Sequence, residues 1–270
     1  MPARNLFSPQ DWARSARSLA RRARTHGRKL FAKSGGPPPA YPRKLNFGCG
    51  YDKRSDYLNV DVDPACTPDL LIADHDYSAI PLDYFEEVLA KDVIEHVPRA
   101  ATLSVLLDFA SYLQMGGKLV LETSSILHVA AKLQQSSKYA AHHGWTICLF
   151  GNQAHAGDFH HTGFTELTLR VHLLAAGFEI LHQEVRQDWM FYVEAKKVSD
   201  WSCLLAQWDH LSDEDFVARA CLQCFRRKVD EAGFRHWSTL LWEGVARRDI
   251  LKSLYSSPER LFLTAQDHDL

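Results

Sequence analysis

Apolar residues follow two different periods along this chain, and the change between them divides it into regions. Between residues 44 and 195, short apolar runs alternate with stretches in which apolar residues recur every three or four positions. The short runs predict strands at Lys44–Phe47, Tyr57–Val62, Leu70–Ala73, Glu87–Ala90, Lys118–Glu122, Phe178–Glu184 and Trp189–Ala195. The longer period predicts helices at Arg99–Leu113 and Thr165–Ala176. This alternation predicts an α/β fold with a doubly wound, mostly parallel sheet covered on both faces.

From about Ser199 onward only the helical period remains. It predicts three helices, at Phe216–Arg227, Phe234–Glu243 and Arg247–Tyr255. A module of this size holds a marginal core. We therefore predict three regions: an N-terminal arm and linker at 1–40, an α/β domain at 41–198 and an all-helical module at 199–270.

The net charge of −2 conceals an uneven distribution of charge. Residues 1–44 hold eleven Lys or Arg and a single acid, Asp11, whereas the remainder of the chain carries a net charge of −12. Residues 11–33 favour helix, and the Gly- and Pro-rich stretch at 34–39 is typical of a linker. Three interpretations of the arm stay open: contact of residues 1–36 with an anionic membrane or another polyanion, a solvated tail, or a transit peptide.

Composition limits the class of protein. A hydrophobic content of 46% excludes disorder for most of the chain. No window approaches the roughly 18 apolar residues of a membrane span, and the N-terminus lacks a secretory pattern. The six scattered cysteines are typical of free thiols in a reducing compartment. We expect a cytoplasmic protein, with peripheral contact at the inner membrane face as the further expectation.

The ends of the predicted strands carry the candidate chemistry, because ligands of doubly wound sheets bind beyond the carboxyl ends of the strands. After the first strand, Gly48-Cys49-Gly50 lets the backbone approach a ligand. An acid after the second strand can chelate the two hydroxyls of a ribose, and acids after the third can accept from an adenine amino group. The acids that follow strands two to four are Asp61 and Asp63, Asp74 and Asp76, and Asp92 with Glu95.

Four segments, in order, carry the motifs of a known family. They read LNFGCGYDKRSDYLNVDVDP, KDVIEHVP, LQMGGKLVLETSS and LLAAGFEI. Residues 44–195 thereby resemble class I S-adenosylmethionine-dependent methyltransferases, which have a Rossmann-like fold. The first segment is most similar to that of a bacterial subgroup frequently linked to surface-polysaccharide assembly.

The resemblance implies S-adenosylmethionine as the cofactor and assigns its binding residues. Phe47, Gly48, Cys49 and Gly50 form the cofactor loop, with the two glycines against the methionine moiety. Asp61 would bind the ribose, with Asp63 as the alternative. Asp74 would hold the adenine amino group, with Asp76 as the alternative, and Asp92 would line the methionine end. Asp52 occupies the place of the family's third glycine, so the loop departs from the fuller pattern.

Methyl transfer to a hydroxyl needs an in-line approach and a base. His96, just past the fourth strand, and His160 or His161, in a loop on the acceptor side, are the candidate bases. The alternative for His96 is a structural hydrogen bond. For the histidines of the later stretch the alternative is a polar surface loop; they are His142, His143, His155, His160 and His161. A further hypothesis is a metal site in which Asp92, Glu95 and His96 share one helical face and a later histidine joins them.

The resemblance implies, as acceptor, a sugar hydroxyl of a bacterial surface glycan or of its glycolipid precursor. Two alternatives remain: an RNA methyltransferase, which the acidic body disfavours, and a methyltransferase-like binding module without activity.

The tail resembles a bacterial domain of unknown function, which implies targeting or oligomerisation. The residues that carry this likeness are Gly233, His236, Trp237, Gly244, Arg248 and the run Ser257-Pro258-Glu259. Cys221 and Cys224 form a CxxC without a second pair, and on a helical pattern they are predicted to be buried small hydrophobes.

Overall fold

A seven-stranded sheet forms the centre of the fold. The computed structural model describes residues 41–72, 76–154 and 157–270, so the basic arm, Asp74 and His155 lie outside the described residues. The strand order is β3-β2-β1-β4-β5-β7-β6, and β7 runs antiparallel to both of its neighbours. The strands are β1 (Lys44–Phe47), β2 (Leu58–Asp61), β3 (Leu70–Leu71), β4 (Phe85–Lys91), β5 (Leu113–Ser124), β6 (Phe178–Arg186) and β7 (Met190–Lys197). The predicted α/β class with a mostly parallel sheet is confirmed.

The described α-helices all come after β4 in the chain. They are α1 (Thr102–Tyr112), α2 (Ile126–Gln134), α3 (Tyr139–Phe150), α4 (Glu166–Ala175), α5 (Cys203–Gln207), α6 (Asp213–Phe225), α7 (Glu231–Trp242), α8 (Arg247–Tyr255) and α9 (Pro258–Asp267). The sequence pattern missed α2, α3, α5 and α9. His142 and His143 lie on α3, so the interpretation of a surface loop is wrong for these two residues.

The two faces of the sheet differ in chemistry. Helix α1 packs on an apolar face, where the Phe47 and Phe109 ring centroids are 5.0 Å apart. The opposite face carries paired charges: Lys118 Nζ lies 3.0 Å from Glu87 Oε2 and 3.7 Å from Glu194 Oε1. Among the described residues between β1 and β4 there is no α-helix. A sheet face that carries paired charges can be exposed to water, whereas exposure of an uncovered apolar face is unfavourable.

The crossover from β1 to β2 contains no α-helix, and two buried asparagines hold its loop in place. Asn46 Nδ2 donates to Asn59 Oδ1 (3.0 Å) and to the Asp52 carbonyl (2.8 Å). Asn59 Oδ1 accepts from the Arg54 amide at 2.8 Å, and Asn59 Nδ2 donates to the Arg54 carbonyl at 2.9 Å. Asn59 Nδ2 also donates to Asp69 Oδ2 at 2.6 Å. These side chains satisfy the main-chain groups of a loop that has no secondary structure to pair them.

We expect Asn59→Ala to lower the free energy of unfolding by about 2–4 kcal/mol, because it leaves several buried polar groups without partners. Urea denaturation measures the change. Asn152→Ala is the matched control, since Asn152 is exposed. Equal loss in both variants would contradict the structural role of Asn59.

The described chain divides into two compact units. One contains residues 41–201 together with 256–270, and the other contains residues 202–255. In the first unit, α9 packs against α4. In the second, Arg247 Nη2 donates to Asp213 Oδ1 (2.8 Å) and to the Leu211 carbonyl (2.7 Å), and Cys221 and Cys224 are buried, as predicted. None of the described helices is long and apolar enough to cross a membrane.

Candidate functional site

The loop after β1 requires glycine at its first position. Gly48 has a φ of +66°, and its amide and that of Cys49 both donate to the Val60 carbonyl, at 2.8 and 3.0 Å. A Cβ atom on Gly48 would lie 2.7 Å from Cγ2 of Val93, which follows β4. Glycine therefore serves both the left-handed backbone and the close approach of the two loops. Gly50 also has a positive φ, of +50°, and a Cβ atom there would meet open space.

Asp61 joins the end of β2 to this loop. Its Oδ2 accepts from the Gly50 amide at 2.7 Å, and its Oδ1 accepts from the Asp63 amide at 2.9 Å. An ionised carboxylate has about four lone-pair positions, so two remain for the two hydroxyls of a ribose. Asp63 instead accepts from the Ala65 amide at 2.9 Å and begins the short turn Pro64–Cys66. The geometry favours Asp61 over Asp63 as the ribose ligand.

The loop after β3 is described only in part. Asp74, the predicted adenine ligand, lies outside the described residues. Its alternative, Asp76, accepts from the Ser78 amide at 3.1 Å and caps the turn Tyr77–Ala79. The Tyr77 ring lies 5.5 Å from the ring of Phe47, so an aromatic pair lies at the carboxyl end of β1.

Cys49 is a buried thiol inside the cofactor loop. Burial and the nearby Asp61 carboxylate raise its pKa to about 11. The group is therefore a neutral thiol at physiological pH and acts as a small apolar side chain.

Asp92 occupies a left-handed backbone position directly after β4. Its φ is +52°, and its amide donates to the Glu122 carbonyl at 3.1 Å. Although Asp92 is exposed, desolvation by the surrounding atoms raises the pKa of its carboxyl above the ordinary value, and the charge of Glu122 raises it further. Asp tolerates this conformation better than most residues. A carboxylate held here is suited to a cationic ligand group.

Glu95 is a buried carboxyl beneath the same loop, with 2% of its surface exposed. Thr123 Oγ1 donates to its Oε2 at 3.0 Å, and burial raises its pKa to about 8. The Glu95 carbonyl accepts from the amides of His161 and Thr162, at 2.7 and 3.0 Å. Glu95 therefore joins the loop after β4 to the acceptor-side loop.

His96 and His160 face each other as a pair. Their ring centroids are 4.6 Å apart, with the rings nearly perpendicular. Nδ1 of His96 bonds the Phe159 carbonyl at 3.2 Å, and Nδ1 of His160 bonds the Cys148 carbonyl at 3.1 Å. Because a carbonyl only accepts, both Nδ1 atoms carry the proton, and Nε2 of each neutral ring is the basic atom. Burial lowers the pKa of His160, as does the neighbouring His96.

His161 is placed differently from this pair. Its side chain is exposed, and its ring stacks on Phe159 at 6.2 Å. The geometry brings His96 and His160 together as candidate bases and leaves His161 in a positioning role through its amide.

The hypothesis of a metal set does not fit the described geometry. Ile94–His96 forms a single 3₁₀ turn, so Asp92, Glu95 and His96 do not share an α-helical face. Glu95 is directed to Thr123 instead. Among the residues that the structure describes, no group of three or more His, Cys, Asp or Glu is arranged to hold a metal ion.

Several residues of the site escaped the sequence analysis, Tyr77 among them. Val93 limits the space at Gly48, Thr123 binds Glu95, and the carbonyl of Cys148 orients His160. Inspecting the end of the fifth strand in the same way as the others would have found Thr123. No pattern in the sequence links Cys148 to His160, because their contact depends on the packing of α3.

One protein-family model matches part of the tail. Residues 206–263 match a domain of unknown function, DUF4214. This match confirms the predicted resemblance of the tail to a bacterial domain of unknown function. No curated protein matches the chain in sequence.

Solved structures of similar fold have low sequence identity to the chain. A possible exported protein from Bordetella parapertussis is 14% identical, with 74% of this chain and 76% of that one covered and a TM-score of 0.43. The 1,6-didemethyltoxoflavin-N1-methyltransferase of Burkholderia thailandensis, solved with 1,6-didemethyltoxoflavin and S-adenosylhomocysteine, is 15% identical, with coverages of 72% and 92% and a TM-score of 0.38.

An S-adenosylmethionine-dependent methyltransferase from Methanosarcina mazei is 17% identical, with coverages of 58% and 92% and a TM-score of 0.42. The match to a family model is confined to the helical tail, and the likeness to these solved structures is one of fold alone.

Proposed function

We propose that the chain is an S-adenosylmethionine-dependent methyltransferase. The observation that carries the proposal is the hydrogen bond from the Gly50 amide to Asp61 Oδ2, at 2.7 Å. It joins the loop after β1 to the acid after β2, beside the point where the strand order reverses between β1 and β4. Ligands of open α/β sheets bind at such a switch point.

The residues present fit this cofactor. Asp61 keeps two lone-pair positions for the ribose hydroxyls, and the Phe47–Tyr77 pair offers apolar surface nearby. Asp92 would hold the positive methionine end. When bound, the cofactor supplies an electrophilic methyl group. The task of the chain is to orient the acceptor hydroxyl in line with that group, to exclude water and to take up the proton at a histidine Nε2.

The acceptor that we propose is a sugar hydroxyl of a bacterial surface glycan or of its glycolipid precursor. Support comes from the resemblance of the LNFGCG and NVDVDP segments and from the basic arm, which suits work at an anionic membrane. To identify the acceptor, labelled S-adenosylmethionine is incubated with separated lipid, polysaccharide, RNA and protein fractions. Label in lipid or polysaccharide supports this acceptor, and label in RNA or protein contradicts it. Lack of label in every fraction indicates a binding module.

The cofactor assignment has its own test, at Asp61. We expect Asp61→Ala to lower the affinity for S-adenosylmethionine at least tenfold, since a lost hydrogen bond to a charged group costs about 1.5–3 kcal/mol. Isothermal titration calorimetry measures this affinity. Asp63→Ala is the matched control: it removes the neighbouring carboxylate and should leave the affinity within about twofold, because Asp63 caps a turn. Unchanged affinity in Asp61→Ala would rule out Asp61 as the ribose ligand.

A further inference from the structure

Helices α2 and α3 form a hairpin between β5 and α4. They pack against each other across a short turn at residues 135–138. At the start of α2, the Ile126 amide donates to the Phe164 carbonyl at 3.0 Å. At the end of α3, the Phe150 carbonyl accepts from the His160 amide at 3.1 Å. The hairpin therefore borders the candidate acceptor side directly.

The surface of this hairpin is apolar although it is not buried. Eight of the twelve residues of α3 are apolar, and none of the twelve is buried. The relative exposure is 82% for Tyr139, 55% for Phe150 and 60% for Leu127. Trp145 and Leu149 are half-buried on one side of α3, whereas Tyr139 and Phe150 are exposed on the other side. Large exposed aromatic side chains on one surface indicate an occupant.

The charge of the same segment indicates the chemistry of that occupant. Residues 123–157 contain no Asp or Glu, although the chain from residue 45 onward is acidic as a whole. Lys132 and Lys138 are the lysines of the segment; Lys132 pairs with Asp188 at 3.1 Å, and Lys138 is exposed. Apolar and aromatic side chains with lysine and without acids are typical of surfaces that lie at the interface of an anionic bilayer.

We propose that the α2–α3 hairpin binds the surface of an anionic lipid bilayer, with Leu127, Tyr139 and Phe150 entering the headgroup region. Transfer of the aromatic side chains from water to the headgroup region is favourable in free energy, and Lys138 faces the anionic headgroups. The consequence for catalysis rests on the proposed methyl transfer: an acceptor anchored in the bilayer would meet the His96–His160 pair beside the membrane. The vesicle binding itself does not depend on that function.

Flotation of the full chain with vesicles tests the proposal. The vesicles contain phosphatidylcholine with or without phosphatidylglycerol, and the variant is Tyr139→Ser with Phe150→Ser. We expect its partition onto the anionic vesicles to fall at least tenfold from that of the wild type. The matched control, Leu82→Ser with Leu181→Ser, also removes two exposed apolar side chains and should bind as the wild type does. The basic arm is present in all three proteins, so its contribution to vesicle binding is the same in each of them.

Three results would overturn the proposal: a wild type that does not float, a Tyr139/Phe150 variant that floats equally well, or an equal loss in the control. Sedimentation of the same proteins measures their self-association. If the Tyr139/Phe150 variant no longer self-associates but still floats with the vesicles, the occupant of the surface is a second copy of the chain. Calorimetry with S-adenosylmethionine is run on each preparation. Retained cofactor affinity shows that the variant is folded, and a wild type that floats without binding the cofactor contradicts the proposed function alone.

Discussion

We expect His160→Ala to lower the rate of methyl transfer about 100-fold or more while leaving the affinity for S-adenosylmethionine unchanged. The ring donates through Nδ1 to the Cys148 carbonyl, which leaves Nε2 as the proton acceptor. Because burial and His96 lower the pKa of His160, this ring is neutral at physiological pH and is ready to act as a base.

The rate is measured with labelled cofactor and the fraction that takes up label, and the affinity by calorimetry. His182→Ala is the matched control, since His182 is an exposed histidine on β6. The dependence of the wild-type rate on pH gives a second readout. A base must be unprotonated, so activity should fall as the pH drops through an apparent pKa below 6.5, the ordinary value for histidine. Full activity of His160→Ala would remove this residue from the mechanism.

His96→Ala separates a catalytic from a positioning role for the second ring of the pair. His96 contacts His160 edge to face and bonds the Phe159 carbonyl. If His160 is the base and His96 positions it, the His96 variant should lose rate and also shift the apparent pKa of the acidic limb upward, because His96 no longer lowers the pKa of His160. A loss of rate without a shift would instead assign the proton transfer to His96.

The sheet could be predicted because its strands are short apolar runs that end at turn residues. The hairpin of α2 and α3 could not, because the apolar residues of α3 form no stripe with a helical period. Helix α8 has the predicted bounds, whereas α6 and α7 each begin three residues earlier than the apolar pattern suggested. Ser212 caps α6, and the acids at 213–215 stabilise its first turn. The spacing of apolar residues does not show where a helix with a polar first turn begins.

Some contacts within the site could be predicted from the sequence, and others could not. The approach of Gly50 to Asp61 follows from the rule that the carboxyl ends of neighbouring parallel strands lie together. The bond between Thr123 and Glu95 depends on the register of β4 against β5, in which Lys91 lies opposite Glu122. The pairing of His96 with His160 depends on a loop whose path is set by hydrogen bonds to Glu95 and Phe150. Neither register nor loop path is encoded in the spacing of residues along the chain.

Glu95→Gln should make the protein more stable at pH 8 by about 4 kcal/mol, while its stability at pH 5 stays close to that of the wild type. Burial raises the pKa of Glu95 to about 8, whereas the same carboxyl in the unfolded chain titrates near its ordinary value of 4.5. Between these values the folded state holds a proton that the unfolded state has lost. The stability of the wild type therefore falls as the pH rises through this window.

Glutamine removes this dependence because it is neutral at every pH and still accepts from Thr123 Oγ1. Urea unfolding at pH 5, 6, 7 and 8 measures the difference, which should widen with each step. Glu86→Gln is the control, because Glu86 is exposed and its change should leave the pH dependence as it is in the wild type. Parallel curves for Glu95→Gln and the wild type would mean that Glu95 is ionised in the folded protein. A stabilising replacement that also lowers the rate of transfer would indicate that the carboxyl is retained for the reaction, at the expense of stability.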